Sequence, residues 1–278
     1  MPKPNFLYVG APKCGSTWLF EALSGHPEVS LYPGKYIHFF KDFYDKGLDW
    51  YESQFDGINE DHMIGDFETS YMFYDNVVER IAKTYPSMKL VVSLRNPVER
   101  DWSAFKFMKS TAQIGENVDL PAAMETAPDF LTLCSSYGTA VERLYKNFDK
   151  DQVLILFYDE LRSDPTIYMD KVQSFLGISA EYVPENINKK SYKTKSSRFR
   201  LLNKFLKVIG WRLRSMGLGI LVMRLKRSSI AKAIIFKDSK VKQAPISDSE
   251  REFLIQRNMP EIEKLEKVLD INLDKWKV

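Results

Sequence analysis

Eight residues near the N-terminus form a loop whose composition suits the binding of a phosphate group. Residues Gly10–Thr17 read GAPKCGST and join an apolar run to a segment with helical spacing. In that context consecutive backbone N–H groups face an anion, and the start of the helix adds partial positive charge. Lys13 supplies a full charge, and the hydroxyls of Ser16 and Thr17 supply hydrogen bonds. The loop therefore predicts a phosphate site; an ordinary strand-to-helix turn with incidental glycines is the alternative.

The position of the lysine distinguishes this loop from that of ordinary nucleoside triphosphatases. Their pattern, G-x-x-x-x-G-K-[ST], has the lysine directly after the second glycine, where it serves the β- and γ-phosphates. Here Lys13 precedes Gly15 by two positions. The later predicted strands also end without a carboxylate for Mg²⁺ before Asp159. These differences disfavour metal-assisted phosphoryl transfer.

A second pair of residues is suited to hold another phosphate. Arg95 follows the apolar run 88–94, and Ser103 comes eight residues later. If 98–108 is helical, Ser103 lies two turns into the helix and faces the same pocket as Arg95. An arginine fork and a hydroxyl grip a terminal phosphate well, and ligands collect at the carboxyl ends of parallel strands. A surface ion pair is the other interpretation of Arg95.

The elements that must position these residues alternate between strands and helices. Three apolar runs have the composition of buried parallel strands, and three segments have helical spacing. The runs span 5–10, 88–94 and 152–158, and the helical segments span 16–24, 75–85 and 167–176. The first helix is expected to end at Gly25. This alternation predicts an α/β fold with a central parallel sheet flanked by helices on both faces.

The remaining segments complete a single predicted domain over residues 1–278. Ser247–Glu250 is a capping-box signature, which predicts a C-terminal helix over 247–269. The segment 109–133 has weak periodicity and is interpreted as a surface excursion. The polar and basic segment 186–197 is interpreted as a loop. The sequence contains no internal repeat and no low-complexity tract.

The composition favours a globular chain without a membrane span. Of the 278 residues, 44% are hydrophobic and 13% are aromatic, which is enough for a large core. The longest later apolar run, 218–223, is far shorter than the ~20 residues of a membrane span, and no secretory signal is visible. Cys14 and Cys134 are the only cysteines, so neither a disulfide framework nor metal-ligand spacing exists. We predict a cytoplasmic protein without a bound metal.

Charge is distributed unevenly, although the net charge is only +3. The window 189–242 contains 17 lysines and arginines and one acid, whereas the rest of the chain has 23 basic and 36 acidic residues. Within the window, the stretch 198–227 is basic and amphipathic. A solvated basic helix face is one interpretation. A site for phosphate, a polyanion or an acidic membrane surface is the other, so peripheral membrane contact is included among the hypotheses.

Together these residues resemble the PAPS-dependent sulfotransferases, specifically the branch with the heparan sulfate sulfotransferase domains and their bacterial relatives. PAPS is 3′-phosphoadenosine 5′-phosphosulfate, and the resemblance covers nearly the whole chain. The similar segments are the 5′-phosphosulfate loop at 6–17, a stretch at 38–51, the 3′-phosphate motif at 94–97 with Arg100 and Ser103, and shorter segments at 158–161, 175–177 and 273–276. The resemblance implies a P-loop-like three-layer fold, PAPS as donor, PAP as product and no metal.

The resemblance also implies roles for individual residues. Lys13 would contact the 5′-phosphate and the bridging oxygen and stabilise the charge of the leaving group. Arg95 and Ser103 would hold the 3′-phosphate, which distinguishes PAPS from ordinary adenine nucleotides. A basic loop at 193–198, with Lys195 and Arg198, would close over the nucleotide. The remaining contacts to the 5′-phosphate would come from Cys14, Gly15, Ser16, Thr17 and Trp18.

One departure from the family pattern concerns the general base. The heparan-type enzymes carry a catalytic glutamate two residues before a His-Phe-Phe segment, and Tyr36 stands at that position here. A neutral tyrosine, with a reference pKa of ~10, is a poor base at pH 7. His38 is the first substitute because imidazole titrates near neutrality; a structural histidine is the alternative. Asp66 and Glu68 are further candidates, for acceptor chemistry or for binding a cationic acceptor.

Three functional hypotheses remain open at this point. The first is transfer of a sulfuryl group from PAPS to a hydroxyl or to an amine or amide nitrogen of a carbohydrate or small-molecule acceptor, including a natural product. The second is a small-molecule kinase that uses the same loop. The third is a non-catalytic module that binds a nucleotide or a polyanion. Nucleic acid is not expected as a partner, and the sequence fixes neither the acceptor nor the oligomeric state.

Overall fold

A computed structural model describes residues 2–189, 196–197, 200–219, 236–237 and 245–278, with side chains for 2–189, 208–219 and 245–278. Lys195 and Arg198, which were predicted to contact the nucleotide, lie outside the residues whose side chains are described. Most of the basic window 189–242 lies outside them as well.

A parallel sheet of five strands, in the order β2-β3-β1-β4-β5, underlies the predicted phosphate loop. The strands are β1 (Phe6–Gly10), β2 (Val29–Leu31), β3 (Met63–Phe67), β4 (Lys89–Leu94) and β5 (Val153–Phe157). Every residue of β1 is buried, because a central parallel strand is covered on both faces. In register, Leu7 of β1 lies opposite Asp66 on one side and Leu90 on the other. The predicted parallel α/β sheet is confirmed.

Helices connect these strands and extend beyond them. They are α1 (Ser16–Ser24), α2 (Phe39–Asp42), α3 (Leu48–Ser53), α4 (Asp75–Thr84), α5 (Pro97–Ser110), α6 (Leu120–Thr126), α7 (Pro128–Leu131), α8 (Tyr137–Asn147), α9 (Tyr158–Ser163), α10 (Pro165–Leu176), α11 (Arg200–Ser215) and α12 (Asp248–Leu269). Two short antiparallel strands, β6 (Ser196–Ser197) and β7 (Phe236–Lys237), pair with each other. The predicted N-terminal and C-terminal helices are confirmed: α1 ends at Gly25, and Ser247 with Glu250 forms the capping box of α12.

The chain divides into two compact units, each assembled from two separate stretches of sequence. Unit 1 comprises Met1–Arg95 and Thr139–Tyr192, and unit 2 comprises Asn96–Gly138 and Lys193–Val278. Unit 1 contains the five-stranded sheet. Its core joins one face of that sheet to helices α1 and α10, for example through Leu19, Val91 and Val172, which are all fully buried. The single-domain organisation stays a prediction.

The segment 109–133 was predicted to be a surface excursion, and this prediction was wrong. It contains α6 and α7, and its Leu120 and Leu131 are fully buried in the core of unit 2. The Asp119 side chain caps α6 by accepting the Ala122 N–H at 2.9 Å. A proline stands in the first turn of each helix, where its missing N–H costs no hydrogen bond. These prolines start helices, although in the sequence they look like breakers.

A buried ion pair lies in the core of unit 2. Arg100 and Asp101 are both almost completely buried, and Nη1 of Arg100 lies 2.8 Å from Oδ1 of Asp101. The other Asp101 oxygen accepts from Nδ2 of Asn258 at 2.9 Å, and the hydroxyl of Ser135 donates to Oδ1 at 2.5 Å. Nη2 of Arg100 donates to the carbonyl of Phe130. Every charge in this network is matched inside the unit.

We expect Asp101→Asn to destabilise the protein by about 3–5 kcal/mol, because it leaves the guanidinium of Arg100 buried without a counter-ion. The measurement is the free energy of unfolding in urea. Glu125→Gln removes the same charge from an exposed position of unit 2 and should change stability by no more than ~0.5 kcal/mol. Equal stability of the two variants would contradict a structural role for the pair.

Candidate active site

The glycine loop between β1 and α1 has a backbone that only some residues can adopt. Lys13 and Gly15 have φ angles of 72° and 93°, in the left-handed region. A Cβ atom on Gly15 would lie 2.8 Å from the side chain of Leu161, so a side chain there would also require Leu161 to shift. The hydroxyl of Ser93 on β4 donates to the Cys14 carbonyl at 2.7 Å and holds the loop against the sheet. The loop is a shaped, sequence-specific turn.

The residues at the start of α1 differ in what they can offer an anion. The Cys14 side chain is fully buried, and the indole N–H of Trp18 donates to the Asn186 carbonyl at 3.1 Å. These two residues can therefore contribute main-chain N–H groups only. Ser16 is buried, whereas Thr17 is exposed. Because first-turn N–H groups have no carbonyl four residues earlier within the helix, they are oriented to bind an anion.

Arg95 directly follows β4, the neighbour of β1 in the sheet. Its guanidinium carbon lies 4.8 Å from the centre of the Tyr158 ring, a cation–π contact that orients the side chain. The loop and Arg95 are thus at the same, carboxyl-terminal edge of two adjacent strands, as predicted. Ser103 is half-buried in α5 of unit 2, the helix predicted over 98–108. The joint role of Arg95 and Ser103 in holding a phosphate stays a prediction.

Arg100 belongs to the core and offers no phosphate contact. The family resemblance includes it with Ser103 in the 3′-phosphate motif, but its side chain has no exposed surface and its guanidinium bonds to Asp101. An arginine so completely paired cannot reach a ligand without breaking the core of unit 2. The presence of Arg100 in the motif is therefore explained by its ion pair in the core of unit 2.

A histidine–carboxylate pair lies near the carboxyl end of β3, the other neighbour of β1 in the sheet. Nδ1 of His38 is 2.5 Å from Oε2 of Glu68 and 3.9 Å from Oδ2 of Asp42. Glu68 is buried, and the hydroxyl of Ser70 donates to its Oε1 at 3.3 Å. Burial alone would raise the pKa of Glu68, yet the adjacent His38 holds it below its ordinary value. A buried carboxylate that binds one imidazole nitrogen orients the ring and stabilises its protonated form.

Asp66, on β3, differs from Glu68, which directly follows that strand. Burial and the neighbouring Glu68 raise the pKa of Asp66 to about 8. Its carboxyl oxygens accept from the Phe67 N–H at 2.7 Å and from the Tyr51 hydroxyl at 3.2 Å. A carboxyl group that is protonated near neutral pH is a poor acceptor of a further proton. Of the two carboxylates, Glu68 is the one with a partner at the site.

Because of Asp66, the free energy of unfolding should fall as the pH rises from ~4 to 8. The unfolded chain has an ordinary aspartate pKa near ~4, so between pH ~4 and 8 the folded state keeps a proton that unfolding releases. We expect wild-type protein to lose about 1–3 kcal/mol relative to Asp66→Asn between pH 6 and 8, in urea unfolding at each pH. Asp56→Asn, at an exposed position, should keep the wild-type slope. Parallel curves for wild type and Asp66→Asn would show that Asp66 ionises normally.

Tyr36, at the position of the family glutamate, packs against the His38 ring. Its ring stacks on His38 with centroids 5.7 Å apart and an interplanar angle of 30°. The tyrosine thus restricts the imidazole from one side while Glu68 binds it from another. Tyr36 replaces the glutamate of the family pattern, and the protein has a His38–Glu68 pair beside it.

Sequence reasoning missed Lys35. This lysine is buried, with a φ of 67°, and its ammonium donates to the Thr17 hydroxyl of the glycine loop at 2.9 Å. The same nitrogen lies 5.5 Å from the centre of the Phe20 ring and 5.1 Å from that of Tyr36. One signal was available: Lys35 is the only lysine or arginine within the largely apolar stretch 29–40. Lys35 connects the loop to the segment that carries His38.

Comparison with known proteins identifies the family. The sequence model described as "Sulfotransferase domain" matches residues 3–213, about three quarters of the chain. The chain belongs to the sulfotransferase family. The predicted family resemblance is confirmed, and a small-molecule kinase is not favoured. Sulfuryl transfer is the reaction class that this family supports.

Curated relatives of this sulfotransferase include multidomain proteins. It is 30% identical over 195 residues to human bifunctional heparan sulfate N-deacetylase/N-sulfotransferase 2, an alignment that covers 63% of this chain and 22% of that protein. It is 33% identical over 107 residues to the membrane-associated sulfotransferase kil1 of Dictyostelium discoideum, covering 37% and 23%. The chain thus spans between a fifth and a quarter of the length of these relatives.

Solved structures confirm the fold. A sulfotransferase from Alicyclobacillus acidocaldarius superposes with a TM-score of 0.73 over the full length of both chains at 22% identity. Mouse sulfotransferase SULT7A1, solved in complex with PAP, superposes with a TM-score of 0.54 over 99% of this chain and 87% of that chain at 16% identity. The predicted P-loop-like fold, a parallel sheet flanked by helices, is confirmed.

Among the residues that the structure describes, no group of three or more histidine, cysteine or acidic side chains is arranged to hold a metal ion. Within the same ranges, no helix combines the length and apolar character that crossing a bilayer requires. The cytoplasmic location stays a prediction.

Proposed function

We propose that this protein transfers a sulfuryl group from PAPS to a nucleophilic oxygen or nitrogen, with Lys13 at the donor and His38 at the acceptor. The observation that carries the proposal is the combination in unit 1 of a left-handed glycine loop with an imidazole bound to a buried carboxylate. The glycine loop is suited to binding a phosphosulfate, and the imidazole–carboxylate pair is suited to accepting a proton. Family membership supports the reaction class, and the PAP complex of the mouse relative supports the donor.

The residues of the loop fit the anionic part of PAPS. The first-turn N–H groups of α1 would bind the 5′-phosphate, and Lys13 would donate to the oxygen that bridges phosphorus and sulfur. As the acceptor attacks sulfur, the bond between sulfur and this bridging oxygen breaks, and PAP leaves with added negative charge on its 5′-phosphate. A cation held at that oxygen stabilises the transition state more than the ground state.

Lys35 would set the direction of a further hydrogen bond to the donor. An ammonium group donates and never accepts, so the Thr17 oxygen is the acceptor in the 2.9 Å contact. The hydroxyl hydrogen of Thr17 must then point elsewhere, and we assign it to an oxygen of the 5′-phosphate. Lys35 acts on the donor through Thr17 and is a positioning residue.

The acceptor proton would pass to His38. With Nδ1 engaged by Glu68, Nε2 is the nitrogen assigned to the acceptor hydroxyl or amine. Proton transfer to Nε2 gives an imidazolium whose charge the buried carboxylate stabilises. A carbohydrate or a small-molecule natural product is the proposed acceptor class, in keeping with the heparan sulfate relatives. The non-catalytic alternative would keep the donor site and show no turnover.

The experiment that tests the proposal follows both halves of the reaction. Purified enzyme, PAPS and pools of carbohydrate and small-molecule acceptors are incubated, and mass spectrometry reports sulfated product and PAP. Binding of PAP without product in any pool would favour the non-catalytic module. Failure to bind PAP at all would overturn the proposal.

Arg95 should determine the preference for a 3′-phosphate. We expect Arg95→Ala to weaken PAP binding by about 10–100-fold, the value of a charge-assisted hydrogen bond, and to leave 5′-AMP binding unchanged. Isothermal titration with the two nucleotides measures this difference. Arg162→Ala, at an exposed position of α9, is the control and should bind both as wild type does. An equal loss for PAP and AMP would remove Arg95 from the 3′-phosphate site.

A further inference from the structure

The last turns of α11 and the residues after it expose much apolar surface. In the described part of the chain, eleven large hydrophobic side chains are exposed, and five of them fall within residues 208–218. Val208, Trp211 and Met216 are 66%, 53% and 66% exposed, and Ile209 and Leu218 accompany them. Scattered exposed hydrophobics are ordinary, but a cluster marks an interaction site.

The helix presents this apolar surface on its outer face. Val208, Trp211 and Arg212 are spaced by three and four residues and therefore share one side of α11; all three are exposed. Gly210 is buried on the opposite side. A surface helix that only packs on its own protein shows the reverse arrangement, with the polar face outward. The large exposed fractions of these side chains therefore leave apolar area available to a partner.

The charge of the same segment identifies what the face meets. Residues 200–219 contain five basic and no acidic residues: Arg200, Lys204, Lys207, Arg212 and Arg214. Apolar side chains with tryptophan among them, flanked only by cations, are suited to the boundary between headgroups and acyl chains of an anionic bilayer. An acidic protein surface would match the charge of this segment. It would not account for so many exposed apolar side chains.

We infer that residues 208–218 form a membrane-docking face, which lies on the surface of an anionic bilayer. The aromatic and aliphatic side chains of the docking face enter the headgroup boundary, and its arginines contact lipid phosphates and carboxylates. The inference concerns a surface of unit 2 and does not depend on the donor chemistry of unit 1. Of the interpretations of the basic amphipathic stretch, the inference selects an acidic lipid surface.

Vesicle sedimentation of the full chain tests the inference. We expect binding to vesicles of phosphatidylcholine with 30% phosphatidylserine to be at least tenfold stronger than binding to phosphatidylcholine alone, and to weaken as salt rises. The variant Val208→Ser/Trp211→Ser/Met216→Ser should bind the anionic vesicles at least tenfold more weakly than wild type. Ile167→Ser/Val183→Ser removes exposed apolar side chains from unit 1 and should bind as wild type does.

A single conservative substitution covers the case in which the triple variant fails to fold. Brominated acyl chains quench a tryptophan that enters the bilayer, so wild-type fluorescence should fall on binding and the Trp211→Phe variant should lose most of that quenching. Trp18 and Trp276 are buried, Trp50 and Trp102 are half-buried, and Trp211 is exposed, so Trp211 should give most of the quenching. Wild-type protein that binds neither vesicle, or both equally, overturns the inference. So does a folded triple variant that binds normally, or quenching that Trp211→Phe preserves.

Discussion

Lys13→Ala is expected to lower kcat for sulfuryl transfer from PAPS by at least ~10²–10³-fold, the effect of removing one preorganised donor to a developing negative charge. Lys13 stands in the glycine loop with a left-handed backbone, which fixes the direction in which its side chain leaves the loop. The loss should fall on kcat more than on the affinity for PAP, because the charge on the bridging oxygen develops only as the sulfur–oxygen bond breaks.

Two controls separate this effect from a general loss of charge or of fold. Lys3→Ala removes a cation that is 62% exposed and pairs with Glu52 elsewhere in unit 1, and its kcat should stay within about twofold of wild type. The thermal stability of Lys13→Ala should match that of wild type. A folded Lys13→Ala variant with more than a tenth of the wild-type kcat would sink the assigned role, even if PAP binding persists.

His38→Gln should lower kcat by about 10²–10⁴-fold, the range for loss of a positioned general base. PAP affinity should stay within about twofold, since the proposed role of His38 concerns the acceptor. In wild type, kcat should rise with pH through the imidazole titration, and this limb should disappear in His38→Gln. Rates measured from pH 5 to 9 at saturating PAPS give the comparison.

The neighbours of His38 provide matched variants. Glu68→Gln retains the shape of the carboxylate but removes its charge, so it should lower kcat in the same direction as His38→Gln. Tyr36→Phe keeps the stacked ring and loses only the hydroxyl, so its kcat should remain within about threefold of wild type. The opposite pattern, an inactive Tyr36→Phe and an active His38→Gln, would identify the tyrosine as the base.

Local signals in the sequence were sufficient for the glycine loop and its helix. The strand that closes at Gly10, the helix 16–24 and its end at Gly25 depend on residues within one turn of each other, and the structure confirms each bound to within a residue. Burial of parallel strands on both faces made β4 and β5 equally visible as apolar runs. Strands β2 and β3 lack such runs, since β2 spans only three residues with Ser30 at its centre and β3 contains Gly65 and Asp66.

The pairing of side chains at the candidate site was beyond sequence reasoning. His38 and Glu68 are 30 residues apart in sequence, and Lys35 and Thr17 are 18 apart, so no periodicity brings them together. Asp66 and Glu68 looked equivalent as carboxylates; only burial and the position of His38 separate their proton affinities. The sequence supplied the chemical groups, and tertiary packing decided which of them meet.

The division of each unit between two stretches of sequence has a consequence for synthesis on the ribosome. β4 and β5 are neighbours in the sheet, yet 58 residues separate Leu94 from Val153, and the first half of unit 2 lies among them. The growing chain therefore holds β4 as an open strand edge, prone to wrong pairing, until β5 emerges. No single cut releases either unit whole. A fragment ending at residue 95 would retain Lys13, Lys35 and His38 but not β5, the edge strand that pairs with β4.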